Sequence, residues 1–154
     1  MGRVNDAARK IAQALSSRDT KAFMEAYASE GVAHDPFYPE PLRGAALRED
    51  AESYFRAFPD LRAEILTVVA QDETSGAFEL RFYGTNTGPL ATPQGELPPT
   101  NKRVDLKGAS FLQLDSSGKI AEERRYYDSG TMMRQLGLMP EPEAMAKPEA
   151  MTAH

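Results

Sequence analysis

The hydrophobic pattern changes period near residue 60. Before it, apolar residues recur every three or four positions, and after it they alternate. Val4, Ala8, Ile11 and Leu15 share one face and predict an amphipathic helix over residues 4–15. Asp19 reads as the N-cap of a second helix that turns Phe23, Ala26 and Tyr27 inward and closes at Gly31. A short extended piece, residues 32–35, breaks at the proline-rich bend 36–41. A third helix starts near Gly44 with Leu47, Ala51, Tyr54, Phe55 and Phe58 on its inner side, and Pro59 stops it.

Leu61, Ala63, Ile65, Thr67 and Val69 then predict one face of a strand, followed by a turn at 72–76. In the next strand, 77–87, Phe78, Leu80 and Phe82 point one way and Glu79, Arg81 and Tyr83 the other. The loop 88–101 holds four prolines and two glycines, so it is expected to be ordered by stiffness rather than by strand pairing. Strands 104–114 and 119–127 predict a hairpin, and a short helix at 129–136 ends at Gly137. Residues 140–154 show no periodicity and read as a flexible tail after a single domain spanning 1–139. Helices first and a meander afterwards is an α+β pattern, with N-terminal helices packed on a strongly curved, mainly antiparallel sheet. The cone-shaped interior of such a sheet is a place for a small ligand.

Composition narrows the function. The chain has 154 residues, 41% hydrophobic and 27% charged, with a net charge of −5. That sign and the lack of a basic stripe argue against nucleic acid or an anionic membrane as partner. There is no cysteine, and the histidines are His34 and His154, which leaves little with which to build a metal site. The amino terminus lacks the apolar run of a signal peptide, so a cytoplasmic location is expected. The Gly84-Thr85-Asn86-Thr87-Gly88 segment has neither the lysine nor the following helix of a phosphate loop. Apolar residues on both sides of the strands over 61–70 and 104–114 predict a homodimer that covers the outer sheet face.

The last strand is the most informative. Glu122, Arg124, Tyr126 and Asp128 share one parity and Glu123, Arg125 and Tyr127 the other, so neither face is apolar. One of them must be wet or must line a polar pocket.

Several short motifs, in order, resemble the SnoaL-like polyketide cyclases, a branch of the NTF2-like superfamily of cone-shaped α+β barrels. They are His34-Asp35-Pro36, Leu42-Arg43-Gly44, Phe58-Pro59-Asp60-Leu61, the Gly84–Gly88 segment, Leu97-Pro98-Pro99-Thr100, Gly118–Glu122, and Tyr127-Asp128 with Gln135-Leu136-Gly137. The resemblance spans roughly residues 5–140. It implies cofactor-free acid/base chemistry, such as aldol-type cyclisation or isomerisation, on a small hydrophobic carbonyl compound of the polyketide-ester type. By the family's pattern, Asp128 would be the acid/base. A carboxyl group in an apolar pocket has its pKa raised and can exchange protons near neutral pH. The chain departs from the family pattern at Asn86, where histidine is common, at Arg124, where an aromatic residue is common, and at Asn101, where glycine is common.

The candidate catalytic residues are therefore Asp128 and His34, and the candidate substrate contacts are Asn86, Arg124, Tyr54, Phe58 and Tyr126. Each has a structural alternative. Asp128 is also a suitable N-cap for the last helix, His34 can tie down the bend, and Arg124 can pair with Glu122. Asn86 can satisfy a turn, and Tyr54 and Phe58 sit at core spacing. Two further functions stay open: a non-catalytic ligand-binding module, and epoxide hydrolysis of the kind that uses an Asp–Arg–Asp set. For the latter, Arg81 or Arg124 supplies the guanidinium, with no two aspartates assignable beside either.

Overall fold

The computed structural model describes residues 2–92 and 94–140. The predicted tail, apart from Pro140, lies outside the described residues. Helices α1 (Gly2–Ser17) and α2 (Thr20–Glu25) come first, followed by strands β1 (Tyr27–His34) and β2 (Leu42–Arg43) and helix α3 (Ala45–Ala57). Strands β3 (Arg62–Ala70), β4 (Ser75–Thr85), β5 (Leu90–Thr92), β6 (Gly95–Leu97), β7 (Arg103–Leu114) and β8 (Ile120–Tyr127) precede helix α4 (Ser129–Gln135).

The main sheet runs β2-β1-β8-β7-β4-β3. Every neighbouring pair is antiparallel except β1 and β8, which run parallel. The sheet is strongly curved like a cone but does not close, because β2 and β3 remain at its edges. Helix α1 lies across β3 and β4 and buries Val4, Ala8 and Ile11 against them. Full burial of a valine or isoleucine side chain of this kind contributes roughly 2 kcal/mol.

Four details depart from the sequence expectations. Asp19 does cap α2, accepting from Ala22 N at 2.9 Å, but the helix ends at Glu25 and Tyr27 already opens β1. Gly31 is thus not a helix stop. A Cβ there would meet Ile120 O at 2.6 Å, so glycine permits the close approach of β1 to β8. A register shift between Ile65 and Thr67 reverses the parity of β3, leaving Val69 60% exposed instead of inward. The 88–101 loop is not held by stiffness alone, because Leu90–Thr92 pairs with Gly95–Leu97 as a small ribbon.

That loop is pinned at its base by Asn86, which is fully buried. Its Nδ2 donates to Ala57 O at 3.0 Å and Gly88 O at 2.9 Å, and its Oδ1 accepts from Thr100 N and Thr100 Oγ1, both at 2.9 Å. Asn101 sits at φ 60°, a conformation that asparagine tolerates and glycine prefers, so the replacement of glycine there preserves the backbone. Replacing Asn86 by alanine strands four partner groups, the Ala57 carbonyl fully buried and the others half-buried. Asn86→Ala is expected to cost about 3 kcal/mol, read as a lower urea midpoint with unchanged slope. An unchanged midpoint would show that the loop is held by other contacts.

Candidate functional site

The concave side of the sheet encloses a chamber of about 110 Å³ between α1, α2, α3 and strands β4, β7 and β8. Its apolar wall comes from Ile11, Leu15, Phe23, Phe78, Leu80 and Phe82. Period-2 alternation in β4 and helical spacing in α1 deliver these side chains to one place. Gly108 faces the same side, paired across from Leu80 and Tyr127, and its missing side chain leaves room between Phe82 and Tyr127.

The opposite wall is polar and centres on Arg125. Pairing of β8 with β7 sets Tyr127 opposite Gly108, Arg125 opposite Ser110 and Glu123 opposite Leu112, so this parity faces the chamber. Arg125 Nη1 donates to Asp35 Oδ2 at 3.0 Å and to Asp50 Oδ2 at 2.9 Å, and its Nε donates to Glu123 Oε1 at 3.2 Å. Glu123 also accepts from the Tyr27 hydroxyl and from Ser110 Oγ, the latter at 2.7 Å. Asp35 Oδ1 accepts from Tyr127 Oη at 2.8 Å and Phe37 N at 2.9 Å. The Tyr54 and Tyr127 hydroxyls lie 3.4 Å apart.

The carboxylates of Asp35, Asp50 and Glu123 are all less than a tenth exposed, and they share one guanidinium. Burying that much negative charge is costly, and a buried carboxyl relieves it by keeping its proton. Burial pushes Asp50 up, Arg125 pulls it back, and the charge of Asp35 adds to the rise. Asp50 Oδ1 is buried and makes no hydrogen bond of ordinary geometry, although the Tyr38 phenol beside the carboxyl lowers its pKa as a donor does. Burial alone would lower Arg125, but Glu123, Tyr27, Asp50 and Asp35 hold it well above its ordinary value. Burial and then Asp50 push the Tyr38 phenol up to about 12, and burial raises Tyr54 and Tyr127 further. All three phenols therefore keep their protons at neutral pH. Among the described residues no cluster of histidine and acidic side chains is arranged to hold a metal ion; the three carboxylates surround Arg125 instead.

Of the residues singled out from the sequence, Tyr54 lines the chamber. Tyr126 borders it but is 54% exposed, with its ring edge-on to Phe111 at 5.9 Å. The others lie elsewhere. Asp128 caps α4, accepting from Thr131 N at 3.1 Å and Thr131 Oγ1 at 2.8 Å, and those bonds hold its carboxyl below the usual range. His34 Nε2 meets Glu122 Oε2 at 3.0 Å in a half-exposed pair. Arg124 stands over the Phe111 ring, 5.4 Å from its centroid, and its Nη1 is 4.0 Å from Glu122 Oε1. Phe58 belongs to a second core with Leu61, Val104 and Met132, and Asn86 is the loop pin described above. Arg81 donates to both oxygens of Asp105, at 2.9 and 2.8 Å, away from the chamber. The guanidinium between two aspartates is Arg125.

For the candidates at the end of the chain, Arg124, Tyr126 and Asp128, what separates expectation from finding is one residue of parity along β8. The missing signal was Asp50, a carboxylate three residues after Leu47 and four before Tyr54 on the buried stripe of α3. A charged side chain in phase with a core stripe is rarely buried unless paired.

The comparisons agree with this architecture. The chain aligns with AclR from Streptomyces galilaeus at a TM-score of 0.81 and 19% identity, covering 99% of this chain and 93% of that one. SalBIII, an epoxide hydrolase/cyclase-like enzyme with a role in pyran ring formation in the polyether salinomycin, aligns at a TM-score of 0.68 and 22% identity. That alignment covers 84% of this chain and 94% of SalBIII. A Δ5-3-ketosteroid isomerase from Mycobacterium sp. aligns at 0.64 and 20% identity, covering 84% and 96%. At such identities the likeness establishes the fold. A comparison with curated proteins returns no match. The sequence model of the SnoaL-like polyketide cyclases matches residues 5–136, nearly the whole described chain, and the protein belongs to that family.

Proposed function

We propose that the protein is an acid/base enzyme acting on a small, largely apolar molecule, and that opening of an epoxide is the reaction its chamber supports best. The observation that carries this reading is the pair of buried aspartates, Asp35 and Asp50, bridged by one arginine, with Asp50 Oδ1 making no hydrogen bond of ordinary geometry. A buried polar atom without a partner costs about 1–3 kcal/mol, which a ligand oxygen accepting a proton from Oδ1 would recover. Protonated Asp50 donates its proton to the epoxide oxygen as the C–O bond breaks. Asp35 takes a proton from the attacking nucleophile, which is water or a hydroxyl of the same molecule. The product is a diol in the first case and a cyclic ether in the second. Exchange with solvent returns a proton to Asp50 and removes one from Asp35. The fold-level likeness to SalBIII is consistent with this chemistry but does not assign it.

Carbonyl chemistry of the aldol or isomerase type is the second reading, and the Tyr54–Tyr127 hydroxyl pair favours it. Two phenols that keep their protons beside a carboxylate can hold an enolate oxygen while the carboxylate moves the proton.

Turnover of a panel of apolar epoxides and β-keto esters distinguishes the readings. Asp50→Asn is expected to lower epoxide turnover by roughly two to four orders of magnitude, whereas Asp128→Asn leaves it unchanged. Because Asp50 must hold its proton, kcat/KM should fall as pH rises through its raised pKa. The same shift favours folding at low pH, and that contribution is lost as pH rises through the folded value, so Asp50→Asn should flatten this part of the stability profile. Turnover of β-keto esters alone would select the second reading. Ligand binding with no turnover of either class would identify a binding module instead.

We further propose that two copies pair through the outer sheet face, where Phe111 and Tyr126 are 45% and 54% exposed. Sedimentation at micromolar concentration should give twice the chain mass, and Phe111→Glu should give the monomer. A monomer at every concentration for the unaltered chain would contradict this.

A further inference from the structure

Glu123 has no part in the proton transfers above, yet it is as enclosed as the two aspartates, 3% exposed. Its hydrogen bonds are to groups carried by strands of the sheet. Oε1 accepts from Tyr27 Oη and Arg125 Nε, and Oε2 from Ser110 Oγ. Tyr27 opens β1, Ser110 is in β7 and Arg125 is two residues along β8, so three strands converge on one carboxylate. The grip on Nε orients the guanidinium and leaves Nη1 to bridge Asp35 and Asp50. Nη2 turns to Tyr27 Oη at 3.4 Å.

We propose that Glu123 is a positioning residue: it clamps Arg125 by Nε and takes a share of its charge, and this leaves Asp50 as the proton donor of the site. The inference rests on the reading of Asp50 above. The physical argument is a charge count. One positive charge is divided among three buried carboxylates. Without Glu123, the guanidinium would serve Asp35 and Asp50 alone, and the ionised form of Asp50 would be better compensated. The groups that face Asp50 are Arg125 from β8, Asp35 at the end of β1, Tyr38 from the bend and Tyr54 from its own helix, with Tyr127 beyond Asp35. Of these only Arg125 is cationic, so its allocation decides the state of Asp50. The strong acceptor on Nε also fixes which edge of the guanidinium faces the aspartates, which a neutral side chain would do more weakly.

Glu123→Gln tests this with little loss of shape. The amide oxygen can accept from Tyr27 and Arg125, and the amide nitrogen can donate to the Ser110 hydroxyl, which rotates to accept. The readout is the titration of the Asp50 carboxyl carbon by NMR in the full chain without ligand, assigned with Asp50→Asn. In Glu123→Gln the Asp50 midpoint is expected to move down by about one pH unit. Ser110→Ala, which trims a hydrogen bond and keeps the Glu123 charge, should leave it in place. A shift of similar size in both variants, or in neither, would overturn the inference, since a merely structural role lowers stability without moving the titration selectively. Should Glu123→Gln fail to fold, Glu123→Asp keeps the charge but withdraws the clamp. Loss of Arg125 Nε–H protection from solvent exchange then supports positioning, and full protection contradicts it. Failure of the epoxide reading shows separately, as full activity of Asp50→Asn, and leaves this titration result standing.

Discussion

One guanidinium shared by three buried carboxylates is the constraint on which the site depends. Arg125 is tied to Asp35 from the end of β1, Asp50 from α3 and Glu123 from β8 itself. The cluster therefore joins helix α3, on one side of the chamber, to the strands β1 and β8 that form its wall. A buried ion pair of this kind is weak evidence for stability, because desolvation offsets most of the attraction. The cluster stands at the concave side of the sheet, facing an apolar wall, and the proposed chemistry gives it a role that stability alone does not. Burial, and then the charge of Asp35, raise the Asp50 pKa above the ordinary carboxylate value even though Arg125 pulls it down.

The fold creates that environment by simple means. Alternation in β4 supplies Phe78, Leu80 and Phe82, and the parallel β1–β8 pairing, made close by Gly31, brings Tyr27 and Asp35 alongside the last strand. Asn86 holds the loop at the far end through four bonds and has no contact with the chamber. Asp128 is bound up in ending the strand and starting α4. Both residues shape the frame around the site, and the site itself lies one residue earlier on β8.

Most of the fold was legible in the sequence because its signals are local. Helical spacing in residues 4–15 and 45–58, alternation in β4 and the β7–β8 hairpin each follow from nearest-neighbour patterning. The β3 parity reversal was not legible, since a register shift arises from pairing and not from composition. The site was half legible. The mixed faces of β8 showed that one parity lines something polar, but alternation alone cannot say which parity points inward when both carry charge. Asp50 stood in the core stripe of α3, and its partner sits 75 residues away, a distance that only the tertiary fold closes. The one singled-out residue that lines the chamber without being largely exposed, Tyr54, is on that same stripe, where helical phase does determine direction.

The proposed chemistry requires a proton on Asp50. Neutron diffraction from crystals of the full chain grown near neutral pD would read this directly. Deuterium density is expected on Asp50 Oδ1 and not on Asp35, the proposed proton acceptor, with a fully deuterated Arg125 guanidinium between them. Two bare aspartates at that pD would contradict it.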